Sequence, residues 1–289
     1  MASFRHRAPP MWLRGLALPL ALGACAVDGG ALAQPASPVA AAQPTYADLV
    51  GLAEPAAIVA EVTVRDQVVV PPERAPGVRP GFVRLYLQAQ TLRVLRSPSP
   101  LGESLAYLAD VPLNAKGKPP KLKKQTFLVF ADPVPASPGA LQLVQPDAQL
   151  PLDPVLEGRV RTVVEQLVAR DAPPPITGVR DVISVAGNLA GESETQMSIE
   201  TATRAPGSLT VVRRPNMAPQ WGVSWTEVVD QAAQPPQPGT LAWYRLACSL
   251  PRQLQPDDFL QTDEAGRQRA QADYRLILDS LGPCERTRH

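Results

Sequence analysis

Histidine is nearly missing from this chain of 289 residues: His6 stands near the start and His289 at the last position. Ser–His–Asp and Cys–His mechanisms therefore lack their base, and a zinc site built on imidazole lacks its ligands. The sequence has no phosphate loop, no G-x-G-x-x-G following a strand and no Cys-x-x-Cys, so no cofactor and no metal are expected. What remains is carboxylate chemistry, Ser–Lys chemistry or none, and the balance leans away from an enzyme. Lysine is scarce too, at five against 23 arginines, and aromatic residues make up only 5% of the chain.

No acid precedes Asp28, whereas Arg5, Arg7 and Arg14 do. The apolar run from Leu16 to Val27 is too short to cross a bilayer as a helix and leads to Ala31-Leu32-Ala33. A basic start, a short apolar stretch and an A-x-A site make a secretory signal over residues 1–33. Leu22-Gly23-Ala24-Cys25 offers a second cleavage, in which Cys25 is lipidated as in a bacterial lipoprotein. The expected location is periplasmic or secreted, with an outer-membrane lipoprotein as the alternative. Cleavage after Ala33 would leave 25 basic against 26 acidic residues. That near-neutral balance argues against nucleic acid as a partner, which needs many cations at phosphates.

Proline is the exception to these shortages, at 34 residues. Because it fixes φ and cannot donate to a sheet, its clusters divide the chain into short elements. Residues 34–44 read as a flexible tether, and Thr45 caps a short helix reaching Ala53. Ala56–Val70 alternates apolar and polar side chains, as a half-buried strand does. Phe82–Arg96 is a second long strand, in which the apolar phase slips and a bulge near Gln90 or Thr91 would restore it. Leu105–Leu113, Gln125–Ala131 and Ala140–Gln145 add three strands. Asp153-Pro154 opens a helix running to about Arg170, and Pro173-Pro174-Pro175 marks a boundary.

Beyond Ile176 the segments Thr195–Ala202, Leu209–Arg213 and Gln220–Thr226 read as strands, with a hairpin signal at Ala205–Ser208. Thr240 caps a short helix ending near Cys248, and Thr262 caps a longer one that Gly282-Pro283 stops. Cys248 and Cys284 are the two cysteines left after the signal, and in an oxidising compartment they read as a disulfide. The expected fold is α+β. A small five-stranded antiparallel β-barrel-like domain with a closing helix spans 45–171, and a smaller α+β domain with a disulfide-stapled helical C-terminus spans 176–289.

The order of short helix, long strand, long bulged strand, hairpin and closing strand resembles OB-like secreted barrels over the first domain. Gly187-Asn188-Leu189-Ala190-Gly191-Glu192-Ser193-Glu194-Thr195 and Leu241-Ala242-Trp243-Tyr244-Arg245-Leu246-Ala247-Cys248 resemble an uncharacterised family of secreted proteobacterial proteins. That resemblance implies export and no activity.

Three groups of residues are candidate sites. All five lysines, Lys116, Lys118, Lys121, Lys123 and Lys124, fall in one nine-residue window with no acid inside it. This is either a solvated hairpin tip that guards the following strand or a docking loop for an anionic envelope surface or an acidic protein. Glu192 and Glu194, two apart, would face one side of an extended segment as a turn, a cation ligand or an acid/base pair. Trp221 and Trp225, four apart, are core or, if exposed, a platform for a sugar. The first functional expectation is a non-catalytic binding or accessory protein of the cell envelope. A carboxylate-dependent hydrolase and a carbohydrate-binding module are the alternatives.

Overall fold

A computed structural model describes residues 43–226, 234–260 and 263–288. The expected signal, Cys25, most of the tether and the expected cap Thr262 lie outside the described residues. Helix α1 (Tyr46–Ala53) opens on Thr45, whose hydroxyl accepts from Asp48 N while Asp48 accepts from Thr45 N, a reciprocal cap. Then follow β1 (Ile58–Val69), β2 (Phe82–Arg96), β3 (Ser104–Pro112), β4 (Thr126–Pro133), β5 (Ala140–Leu143) and β6 (Gln149–Pro151). Helix α2 (Pro154–Val168) starts with proline after Asp153, whose carboxylate accepts from Val155 N and Leu156 N.

These strands close into a barrel in the order β1-β2-β3-β5-β4, with β4 returning to β1; β6 pairs with Phe127, Leu128 and Val129 on the edge of β4 that β5 takes further along. The expectation of an antiparallel barrel is corrected here: β3 and β5 run parallel, through Ala106↔Ala140 and Tyr107↔Leu141. The reason is parity. Strand direction cannot alternate all the way round a closed ring of five, so one neighbouring pair must be parallel. The expected bulge lies next to Thr91, at Leu92. Strand β2 carries a second at Leu95, and β1 carries one at Arg65. Leu92 and Val94 remain exposed, so the slip in phase does not return both to the core.

The second sheet has the order β10-β9-β8-β7, from β7 (Ile176–Ala186), β8 (Ser193–Thr201), β9 (Ser208–Arg213) and β10 (Gln220–Ser224). Strand β7 is absent from the sequence reading. Its buried residues Ile176, Val179, Val182 and Ser184 do not alternate, because the register slips between Ile176 and Gly178 and between Arg180 and Ile183. Asp181, at φ 51°, sits in the second slip and breaks the two-residue period. Helices α3 (Leu241–Ser249) and α4 (Glu264–Leu281) pack on this sheet. Asp263, one residue after the expected cap, accepts from Gly266 N and starts α4.

The described residues form one compact unit with two buried clusters. The first fills the barrel and the space under α1 and α2, and it also takes Leu241 and Tyr244 of α3. The second lies between the four-stranded sheet and α3 and α4, around Met197, Leu209, Leu246, Tyr274 and Ile277. Trp243 packs against both, so α3 is shared. Arg245, 5% exposed, strengthens the junction by pairing with Glu54 and donating to Pro173 O at 3.0 Å.

Cys248 and Cys284 are bonded, with Cα atoms 5.0 Å apart, and the chain after Cys284 folds back onto α1. Thr287 N and Oγ1 donate to Asp48 Oδ2 at 3.0 and 2.7 Å, and Arg288 N donates to Oδ1 at 3.2 Å. Arg286 Nη1 donates to Ala47 O at 3.1 Å. A Cβ on Gly51 would sit 2.7 Å from that guanidinium, so a larger residue there would make the arginine shift from where it crosses the helix. Burial pushes the Asp48 carboxyl up, but hydrogen bonds from Thr287 and Thr45 outweigh burial and hold it below the usual carboxylate range.

Candidate functional site

The lysine window connects β3 to β4 across one mouth of the barrel. Leu113 N donates to Gly81 O at 2.8 Å, where the loop leaves β3 beside the start of β2. Asn114 organises the first turn: its Oδ1 accepts from Lys116 N and Lys118 N at 2.9 and 3.1 Å, and its carbonyl accepts from Gly117 N. The loop then lies along β1. Gln67 Nε2 donates to Pro120 O at 2.9 Å, and Gln67 Oε1 accepts from Leu122 N at 2.6 Å. Lys124 N donates to Val64 O, and Val64 N donates to Gln125 O. Leu122 is buried in the barrel core, plugging the mouth while the lysines on either side stay out.

All five lysines are exposed. Among the described residues one of them, Lys123, has an acid in reach: Asp66 Oδ1 at 3.7 Å. The result is a basic rim on a backbone held by its own hydrogen bonds. A fixed rim presents its charges without first ordering a loose segment, which lowers the entropic cost of meeting an anionic partner.

Glu192 and Glu194 come together at a cleft of about 640 Å³ on the second sheet, which Arg213, Arg214 and Trp221 also line. Glu192 is tied into its own turn. Its Oε2 accepts from Leu189 N at 3.2 Å, and Gly187 N donates to its carbonyl. A Cβ on Gly187 would lie 2.3 Å from the Glu192 side chain, so glycine makes room for that turn. Glu194 accepts from Gln196 Nε2 at 2.8 Å. Among the described residues no three His, Cys, Asp or Glu gather as a metal site would require.

Trp221 is 7% exposed, within the second core, and donates from Nε1 to Ser280 Oγ at 2.9 Å. Trp225 is half-buried and packs on the same core beside Ile199 and Gly207. The two rings therefore contribute to packing, and Trp221 offers no open face for stacking.

Two buried charge sites escape the sequence reading. Asp273 is fully buried, accepting from Arg213 Nε at 2.6 Å and from Thr195 Oγ1 at 2.5 Å. Its signal was available, because an acid stands at residue 273 on the face of α4 that also carries Ala270, Tyr274 and Ile277. Glu61 is 4% exposed on β1, and its Oε1 has no hydrogen-bond partner. Arg93 Nη1 approaches it to 3.6 Å but sits closer, at 2.5 Å, to Glu157 on α2. Burial, reinforced by the nearby Glu157 carboxylate, raises Glu61 above its usual range against the pull of Arg93 and Arg161.

Among the described residues no helix is long and apolar enough to cross a membrane. No protein-family model matches the chain, and no curated protein is significantly similar to it.

Proposed function

We propose that this chain is an exported, non-catalytic binding module of the cell envelope, and that the lysine rim is its docking element. The observation that carries this is the rim itself: five exposed lysines on one pinned loop, with a single acid in reach among the described residues. A chain that otherwise uses arginine concentrates every lysine there. The basic, apolar and A-x-A pattern of residues 1–33 supports export, and the strand order with its one parallel pair supports the likeness to OB-like barrels.

Near an anionic bilayer each basic residue contributes about 1 kcal/mol, so five give a weak but measurable association. It should fade as the Debye length falls towards about 3 Å at 1 M salt. The test replaces all five lysines with glutamine and measures co-sedimentation with vesicles rich in phosphatidylglycerol, and binding to soluble polyglutamate. The parent should bind at low salt and the variant should not, at an unchanged melting temperature. A variant that binds both probes as well as the parent overturns the proposal.

A further inference from the structure

Beside the basic rim the wall of the barrel is apolar where a solvated wall would be polar. Val68 on β1 pairs with Tyr86 on β2, and Tyr86 pairs with Leu108 on β3. Directly opposed residues point to the same side of a sheet. All three are exposed, at 57%, 38% and 42%, so they form one row on the outside of the barrel. At about 4.8 Å between strands the row is about 10 Å wide.

The row adjoins the rim. Asp66, which Lys123 meets at 3.7 Å, is two residues before Val68 and on the same face of β1. The charges bordering the row are matched. Arg84, opposite Asp110, donates to both of its oxygens at 2.7 and 2.9 Å. On the other side the neighbours are Gln88 and Ala106. The acids at its edge are thus answered by cations, while Lys116, Lys118, Lys121 and Lys124 have no acid in reach among the described residues.

We infer that the partner of the rim is an anionic lipid surface, met by the lysines at the headgroups and by Val68, Tyr86 and Leu108 at the boundary with the acyl chains. The inference rests on the docking role proposed above and narrows it from any anionic surface to a bilayer. Three physical points favour lipid over an acidic peptide. The wall of a closed barrel is convex, so it gives an extended peptide no groove for its second side, while a bilayer closes around whatever side chains reach it. The clefts of about 640 and 630 Å³ lie on the second sheet, a third of about 370 Å³ lies by Arg96 and Arg245, and none of the three is lined by a lysine of the rim. Tyrosine, apolar in body and polar at its tip, suits the level of the headgroups. An apolar row flanked by lysines is how a peripheral protein divides its contact between hydrocarbon and phosphate.

The test uses the full chain and two further variants. In the first, Val68, Tyr86 and Leu108 are all replaced by serine, with folding checked by circular dichroism. In the second, Tyr86→Trp adds a fluorescent reporter in the row, read as the difference from the emission of the parent's own four tryptophans. Binding is measured to phosphatidylglycerol–phosphatidylcholine vesicles and to polyglutamate. The triple serine variant should bind vesicles about tenfold more weakly or worse, and polyglutamate as the parent does. The emission of the Tyr86→Trp variant should shift to the blue on vesicles and not on polyglutamate. If the serine variant binds vesicles like the parent, if that emission stays put, or if the parent binds polyglutamate but not vesicles, the lipid assignment is overturned and the docking role of the rim survives. If the five-glutamine variant binds both probes like the parent, the docking role fails instead.

Discussion

The carboxylate of Asp48 is where the first helix and the last described residues are held together, and replacing it with asparagine isolates that contact. Asp48 is 3% exposed and accepts four hydrogen bonds, from Thr45 N, Thr287 N, Thr287 Oγ1 and Arg288 N. Asparagine keeps the shape but offers one acceptor oxygen, and it turns an NH2 towards groups that are themselves donors. Hydrogen bonds to a charged group are worth about 1.5–3 kcal/mol each, and unmade buried donors cost a similar amount. Asn retains some of the four, so a net loss of about 2–3 kcal/mol follows, or roughly 5–10 °C in melting temperature for a unit of this size. The loss should depend on pH. A carboxyl held below its unfolded value of about 3.9 stabilises the fold above that pH, and the contribution fades as pH falls through the lower folded value. Parent and Asp48→Asn should therefore differ most near pH 7 and converge towards pH 2. Thermal melts across that range measure the gap, and hydrogen exchange at Thr287 and Arg288 should quicken in the variant. A gap under 1 °C at pH 7, or one that does not change with pH, refutes the reasoning.

Glu61 carries the opposite sign. Its folded value is raised, so its contribution is present at low pH and is lost as pH rises through that value. Glu61→Gln should raise the melting temperature at pH 8 by roughly 2–4 °C for about 1 kcal/mol relieved, and a gain that persists unchanged at pH 3.5 would count against this account. Asp273→Ala strands Arg213 and Thr195. Because Arg213 is about a third exposed, the cost should fall near the low end for a broken buried pair, about 3 kcal/mol, read as a drop of roughly 6–12 °C. A drop below about 2 °C would mean that solvent already serves Arg213.

What the sequence makes legible is local. Thr45 and Asp153 announce their helices because a cap is a matter of three or four consecutive residues. The lysine window is visible because composition needs no structure. The parallel β3–β5 pair is hidden, because it follows from closing the ring and not from any property of Ala106 or Leu141. Strand β7 is hidden because Asp181 spoils its alternation. The row of Val68, Tyr86 and Leu108 is hidden for a third reason: each residue looks like the outward member of an ordinary strand, and only the register sets the three side by side. Asp273 could have been read, since an acid among the core positions of α4 demands a buried partner; that the partner would be Arg213 on β9 could not.

The parallel pair that parity forces on the barrel also sets where the ring is thinnest. Along β1 and β2 the pairing runs from Val59 to Val69, whereas β3 and β5 share only Ala106↔Ala140 and Tyr107↔Leu141. Backbone bonds from Ala106 N to Gly139 O and from Asp110 N to Pro146 O flank that short join. A cylinder opens first along its weakest generatrix, so the wall should breathe at this join before it does so elsewhere. Leu108 lies on β3 between Tyr107 and Asp110, within the stretch that this join and its flanking bond hold. A fluctuation there would tilt β3 and carry one end of the apolar row outward, while Val68 stays with the firmly paired β1.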